Sequence, residues 1–511
     1  MAVAAWTVAG GALFLCFLRL SETVPVNSDG ASNALQAWDM LHGNLLLRGW
    51  HLSDVSFYTT ELPQYMLVEL VFGLKPGVVH VAGAMTYTFL VLLAALLGQG
   101  RARGPAGVIR AAIAAGIMLA PQLGDGAYLL LLSPDHVGSA VPVLLAWVIL
   151  DRARPRWYRP VAVGALLSWA LVADPLVLYI AILPLALACA GRVYRGAVVQ
   201  RQPWAAQRPA LTLAAAALAP IGAAWLLLAA VHAGGGYQVE PVGGYFTSAA
   251  ALPGHVWTGL EALLLLFGAD FLGQPMGLRA GLALLHLAGA ALAAWAVAAG
   301  LRSLLRGRDL VPDLLVLAVL SNLAGFLLST RVFDARSARE MAAVLPFGAV
   351  LAARLLGARL AAARLLPLLL VIFLGYAAAL GYEMTWPRAA AQDQQLAGWL
   401  AAHHLRHGLG AYWLASGSTL ASGNRVQVRP VCAVAGRLGP ELLRAEQWES
   451  KASWYDPQHT YANFLVLGQP AFCNKATARE ARSAFGPPAR SYHVGGYTVL
   501  VWDKNLLAML G

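Results

Sequence analysis

The sequence predicts a polytopic α-helical membrane protein with a smaller α/β domain at its C-terminal end, and three observations carry that expectation. Of 511 residues, 59% are hydrophobic and 12% charged, with a mean hydropathy of +0.62, far more apolar than a water-soluble globular chain of this length. Apolar stretches near the twenty residues that a bilayer core requires recur as far as Tyr382. Beyond it the composition becomes that of a soluble domain.

Spans are expected at about 2–20, 79–98, 106–121, 139–150, 160–173, 175–190, 210–232, 278–300, 311–329, 339–356 and 365–382, about eleven in all. The first has neither a basic flank nor a small-residue cleavage site and reads as a retained span. Those at 139–150 and 160–190 are short, as broken or half-buried helices would be. Every second loop is basic: Arg101, Arg103 and Arg110; Arg152, Arg154, Arg156 and Arg159; Arg192, Arg195, Arg201 and Arg208; Arg302, Arg306 and Arg308; Arg354, Arg359 and Arg364. Short loops rich in arginine stay in the cytoplasm. The N-terminus is therefore expected inside the plasma membrane and the C-terminal domain outside it. The net charge of +11 then reflects topology and contact with anionic membrane lipids, and calls for no nucleic acid.

The outer loops collect the acids: Asp29, Asp39, Asp54 and Glu61 in the long first loop (21–78), then Asp125 and Asp135, Asp174, Glu240, Glu261 and Asp270, and finally Asp334 and Glu340. Stretches 62–74 and 256–272 read as interfacial, because a further span in either place would break the arginine alternation. A membrane domain (1–382) is thus expected to precede a soluble one (383–511). In the latter, 410–416, 425–431, 463–468 and 497–502 read as strands, and 392–407 and 476–486 as helices. An extracytoplasmic domain sits in an oxidising compartment, so Cys432 and Cys473 are candidate disulfide partners. Cys16 and Cys189 lie in apolar runs and behave as small hydrophobes.

The first loop opens with VNSDGASNALQAWDML, Val26 to Leu41. Asp29, Asn33 and Gln36 recur at helical spacing on one face, Ala34, Leu35, Trp38 and Leu41 form the other, and Gly43 supplies a stop. Spacing leaves two readings open. Asp29 or Ser28 caps the helix, as acids and serines do by accepting its free N–H groups, or Asp29 is a carboxylate positioned for chemistry. The two are not exclusive.

A short inner N-terminus, one span, a long first outer loop bearing an acid before an amphipathic helix, many further spans and an outer C-terminal domain together resemble the GT-C superfamily of membrane glycosyltransferases. The stretch SDGASNALQAWDMLHGN, followed by SFYTTELPQY (56–65), is similar to the first-loop segment of actinobacterial members. The resemblance implies an inverting hexosyl- or pentosyltransferase that moves a sugar from a polyprenyl-phosphate donor to a glycan, lipid or protein acceptor of the cell envelope. Asp29 matches the family's first-loop acid and would be the base; inversion needs no protein nucleophile. Many members carry two adjacent acids where NSDG has one, which favours base chemistry or substrate positioning over metal binding. Asp29 and Asp135 are the candidates should a divalent cation, Mg or Mn, be used.

The leaving lipid phosphate calls for cations. Arg331, Arg336 and Arg339 in STRVFDARSARE (329–340) break the arginine rule by lying outside, and guanidinium forks suit phosphate; pairing with Asp334 and Glu340, or with headgroups, is the alternative. Asp135 and His136 could complete a metal site or hold the acceptor, or Ser133 to Asp135 could simply start a helix with proline in its first turn. Asp54 and Glu61 flank Phe57 and Tyr58, a mix that suits sugar recognition or an interfacial belt.

Other patterns carry less. HHLRH (403–407) lacks the glutamate of the zinc metalloprotease motif. WYDPQHTY (454–461) reads as a carbohydrate platform or as a packed turn. HAGGGYQ (232–238) lacks a P-loop lysine. A transporter or flippase of lipid-linked glycans would place acids deep within spans, whereas most acids here sit at outer ends. A non-catalytic envelope scaffold remains as a third reading.

Overall fold

The computed structural model describes residues 2–510 apart from 133–135, 155, 242, 305–308, 363, 391, 435–441 and 469–476. Every stretch expected to cross the bilayer carries helix. Among the described residues, eight helical segments are long and apolar enough to do so: Ala4–Ser21, Gly77–Gln99, Leu178–Val199, Trp204–Ala233, Leu278–Leu304, Leu310–Leu328, Val344–Ala362 and Leu366–Met384. Gly104–Ile117, Ala140–Arg152 and Tyr158–Ala173, with 14, 13 and 16 residues, fall short of a bilayer core about 30 Å thick at 1.5 Å per residue. The stretch expected at 339–356 starts later. Ala335–Met341 form a 3₁₀ helix capped by Asp334, and the apolar helix begins at Val344, because Arg336, Arg339 and Glu340 are too polar to join it.

The chain divides into two compact units. The helical unit comprises Met1–Val24, Gly83–Leu227 and Gly243–Pro387. Its centre is Val344–Leu351, buried on every side. Small residues set the close approaches: a Cβ on Gly98 would stand 3.0 Å from those of Ala114 and Ala353, the packing expected where helices associate in lipid.

The second unit comprises Pro25–Ala82, Leu228–Val242 and Arg388–Gly511, so much of the first loop groups with the C-terminal region. Its strands are β1 (Trp50–Leu52), β2 (Gln238–Val239), β3 (His407–Gly410), β4 (Gln427–Val434), β5 (Leu442–Ala445), β6 (Ser450–Lys451), β7 (Phe464–Leu467), β8 (Arg490–Val494) and β9 (Tyr497–Val501). A six-stranded sheet runs β5-β4-β3-β7-β9-β8, with β3 parallel to both neighbours and the other pairings antiparallel. Alternation buries both faces. Phe464, Val466, Val499 and Val501 pack with Leu396, Leu400 and Leu414 on one side, and Leu465 and Leu500 with Phe485 and Leu506 on the other. Gly408 is required in β3, since a Cβ there would meet the Phe464 ring at 2.2 Å.

One expected strand is a helix. GAYWLAS ends β3 at Gly410, and Tyr412–Ala421 turns into an α-helix whose Leu414 and Ala415 pack onto the sheet. Tertiary burial overrides the strand preference of Tyr and Trp. A second, three-stranded sheet pairs β1 in parallel with β2 and antiparallel with β6, which joins the first loop to the segment around Glu449.

Candidate functional site

The helix Ser28–Leu41 starts at Asn27, whose Oδ1 accepts the Gly30 N–H at 2.9 Å. The cap is thus Asn27, not Asp29 or Ser28. Asp29 lies in the first turn, where the positive end of the helix dipole favours a carboxylate. Both faces of the helix are buried: Asn33 and Gln36 are 1% and 2% exposed and Ala34 and Leu35 0% and 6%, while Asp29 and Trp38 are half-buried. Gln36 Nε2 donates to Ser32 Oγ at 3.1 Å. Neither polar atom of the Asn33 amide has a hydrogen-bond partner among the described residues, a costly arrangement unless something else supplies one.

Two residues far along the chain join Asp29 in one hydrogen-bonded network within this unit. Tyr412, first in its helix, donates its hydroxyl to Asp29 Oδ1. Tyr412 Oη also lies 2.7 Å from Glu449 Oε2. Ser28 Oγ donates to the Tyr412 carbonyl at 2.7 Å, and Ser32 Oγ to that of Glu449 at 3.3 Å. Glu449 is buried, just before β6, in the left-handed conformation (φ 49°) that a non-glycine residue adopts only at some cost. Burial, and then the charge of Asp29, push the Glu449 carboxyl well above its ordinary range, against hydrogen bonds from Tyr412, Ser53 and Ser32. Burial and the two neighbouring carboxylates likewise keep the Tyr412 phenol protonated.

Asp39, on the same helix, accepts from Trp50 Nε1 at 2.8 Å and from Asn44 Nδ2 at 2.6 Å, and pairs with Lys451 Nζ at 2.9 Å. Of the other first-loop candidates, Asp54 is half-buried, and Glu61 is buried at the start of helix Glu61–Phe72, where Thr60 Oγ1 donates to it. Tyr58 packs against Tyr237 with centroids 5.0 Å apart. Glu69 is buried with neither carboxylate oxygen hydrogen-bonded among the described residues, and burial lifts it to about 9.

The remaining candidates lie in the helical unit. Asp135 falls outside the described residues. His136 is buried with φ 65°, its Nδ1 2.8 Å from Asp174 Oδ2 and its Nε2 3.4 Å from Glu340 Oε2. Burial opposes its charge, but the two carboxylates outweigh it and raise His136 well above its ordinary value. Against its own burial, Glu340 is held at about 2 by the His136 cation, with Arg339 and Arg331 contributing. Arg336 pairs with Asp125 at 2.9 Å, both exposed, and lies over the Tyr128 ring. Asp334 is occupied in capping its own helix.

Among the described residues no three His, Cys, Asp or Glu side chains gather to hold a metal ion. A phenolic O–H directed at Asp29 suits a proton acceptor better than a cation ligand. Cys432 is in a disulfide; Cys473, its expected partner, lies outside the described residues. In HHLRH, His403 stacks on Trp399 at 3.8 Å. The WYDPQHTY turn packs onto the sheet: Tyr455 Oη donates to the Pro430 carbonyl at 2.7 Å, and the Arg429 guanidinium covers Trp454 at 3.9 Å.

Sequence reasoning missed Tyr412, Glu449 and the pairing of Asp174. Nothing local marks the first two, since hydrogen bonds spanning 383 and 37 residues join them into the network. Asp174 carried a weak signal, an acid before proline between two apolar runs.

No protein-family model matches the chain, and no curated protein does. Among solved structures it is similar to ArnT from Cupriavidus metallidurans in the apo state, at 16% identity and a TM-score of 0.47 over 100% of both chains. It is similar to the same protein bound to undecaprenyl phosphate, at 14% identity and a TM-score of 0.46 over 98% of this chain and 97% of that one. An oligosaccharyltransferase from Archaeoglobus fulgidus, in complex with Zn and sulfate, gives 11% identity and a TM-score of 0.48 over 89% of this chain and 67% of that one.

Proposed function

We propose that the chain is an inverting membrane glycosyltransferase of the GT-C type, transferring a hexose or pentose from a polyprenyl-phosphate donor to a cell-envelope acceptor on the outer face, with Asp29 as general base. The observation that carries this reading is the Asp29 carboxylate itself. It stands in a helix first turn that Asn27 caps, and a buried tyrosine orients it. In the reaction Asp29 takes the proton of an acceptor hydroxyl as that oxygen bonds to the anomeric carbon. The bond from that carbon to the phosphate oxygen breaks, and the electron pair leaves with the polyprenyl phosphate. Arg331, Arg336 and Arg339 are the residues proposed to neutralise that phosphate, with Asp54, Glu61 and His136 assigned to sugar or acceptor. The exposed Arg336–Asp125 pair contributes little to stability, so a phosphate can replace the carboxylate.

The test is transfer of labelled sugar from a panel of polyprenyl-phosphate sugars by the purified full-length chain, with the anomeric configuration of the product read by NMR. An inverted product supports the reading. Absence of transfer from every donor, with movement of a lipid-linked glycan across vesicles carrying the chain, would replace it with transport.

A further inference from the structure

Three oxygens lie in a row: Glu449 Oε2, Tyr412 Oη and Asp29 Oδ1. Two hydrogen bonds link them, and each needs a hydrogen. The phenol has one, so if it is given to Asp29, the second must come from Glu449. Were both carboxyls ionised, one contact would set a carboxylate oxygen 2.7 Å from a phenolic lone pair inside a buried site, with no proton between them.

We propose that Glu449 is held as a neutral carboxylic acid that donates to Tyr412, so that Tyr412 donates to Asp29 and Asp29 keeps the negative charge of a proton acceptor. Glu449 and Tyr412 are positioning residues in this account, acting through Asp29. Around Glu449 stand Asp29 from helix Ser28–Leu41, Tyr412 from helix Tyr412–Ala421, and the hydroxyls of Ser32 and Ser53; the hydroxyls favour the ionised form but are outweighed by burial and by the charge of Asp29. None of these is a cation. The left-handed backbone at Glu449 also fits a residue kept for its contacts. That two hydrogens serve the two contacts stands on geometry, and burial places the second on Glu449, which is 3% exposed while Asp29 is half-buried; the consequence for Asp29 rests on the reading of Asp29 as the base.

Two isosteric variants test it in the full-length protein. Infrared difference spectra at neutral pH, wild type minus Glu449→Gln, are expected to contain a protonated-carboxyl C=O band that moves when Tyr412 is also changed to Phe. A difference spectrum containing only ionised-carboxylate bands would overturn the proposal. This arm needs no substrate, so it decides the proton chain even if the chain transfers no sugar. The second arm is the pH–rate profile of transfer. Tyr412→Phe removes a hydrogen bond to the ionised form of Asp29, so the acidic limb is expected to move up by about one pH unit. Glu449→Gln, which keeps a donor for Tyr412, is expected to leave the limb in place. A downward move in Glu449→Gln would mean that a negative charge had been removed beside Asp29, and would overturn the proposal.

Discussion

Lys451 Nζ lies 2.9 Å from Asp39 Oδ2, across 412 residues of sequence. It stands two residues after Glu449, and Asp39 lies on the helix that begins beside Asp29. The pair and the Ser32 contact to Glu449 therefore tie one short segment to one helix at two points, so that the candidate site is assembled from the two ends of the chain. Both side chains are about a quarter exposed, between the surface and buried limits for ion pairs. Lys451→Met is expected to cost about 1 kcal/mol, lowering the Tm of the purified protein by about 2–4 °C. An unchanged Tm would show that the pair does not hold the segment.

The His136 network makes a pH-dependent prediction. His136 is raised in the folded state, so its contribution is fully present below its unfolded value near 6.5 and is lost as pH rises through its folded value. Glu340 is depressed to about 2 from 4.5, so its contribution is present above 4.5 and is lost as pH falls toward 2. The difference in Tm between wild type and His136→Asn is thus expected to be greatest between pH 4.5 and 6.5. Asparagine tolerates the left-handed backbone, and breaking a buried pair costs about 3–5 kcal/mol. A pH-independent difference would mean that His136 is neutral.

Arg336 separates binding from stability. Its pair with Asp125 is exposed, and such pairs contribute about 0–1 kcal/mol. Arg336→Ala is expected to leave the Tm within 1 °C or so and to raise the KM for a polyprenyl-phosphate sugar about tenfold, less at high salt. Asp125→Asn, which frees the guanidinium, is expected to leave that KM the same or lower. Equal effects of both variants would assign the pair to structure.

The extent of legibility follows from the range of each interaction. Helix positions were readable because bilayer burial writes a long apolar run, as in Leu278–Leu304, and an 11-residue helix, Gln392–Ala402, was readable from its period. The polar stripe of Asp29, Asn33 and Gln36 was readable too, but the burial of Asn33 and Gln36 was not, because periodicity separates two faces without saying that both pack. The capping reading, Asp29 or Ser28, fell one or two residues late: Asn27 satisfies Gly30, which leaves Asp29 to Tyr412. Pairing with Asp334 was the alternative to phosphate binding for Arg336, yet the backbone of a 3₁₀ turn claims Asp334 and a residue 211 positions away takes the arginine. Tyr412 and Glu449 were invisible because sheet registers, set by distant pairings such as β1 with β6, bring them to the Ser28 helix.

The central claim is that the Asp29 carboxylate accepts the proton in glycosyl transfer. Its most direct test is the rate of labelled-sugar transfer from a polyprenyl-phosphate donor by Asp29→Asn, beside wild type and with the Tm of both measured. A fall of about 10²- to 10⁴-fold at unchanged Tm is the result predicted for loss of a general base; transfer at the wild-type rate would contradict the account.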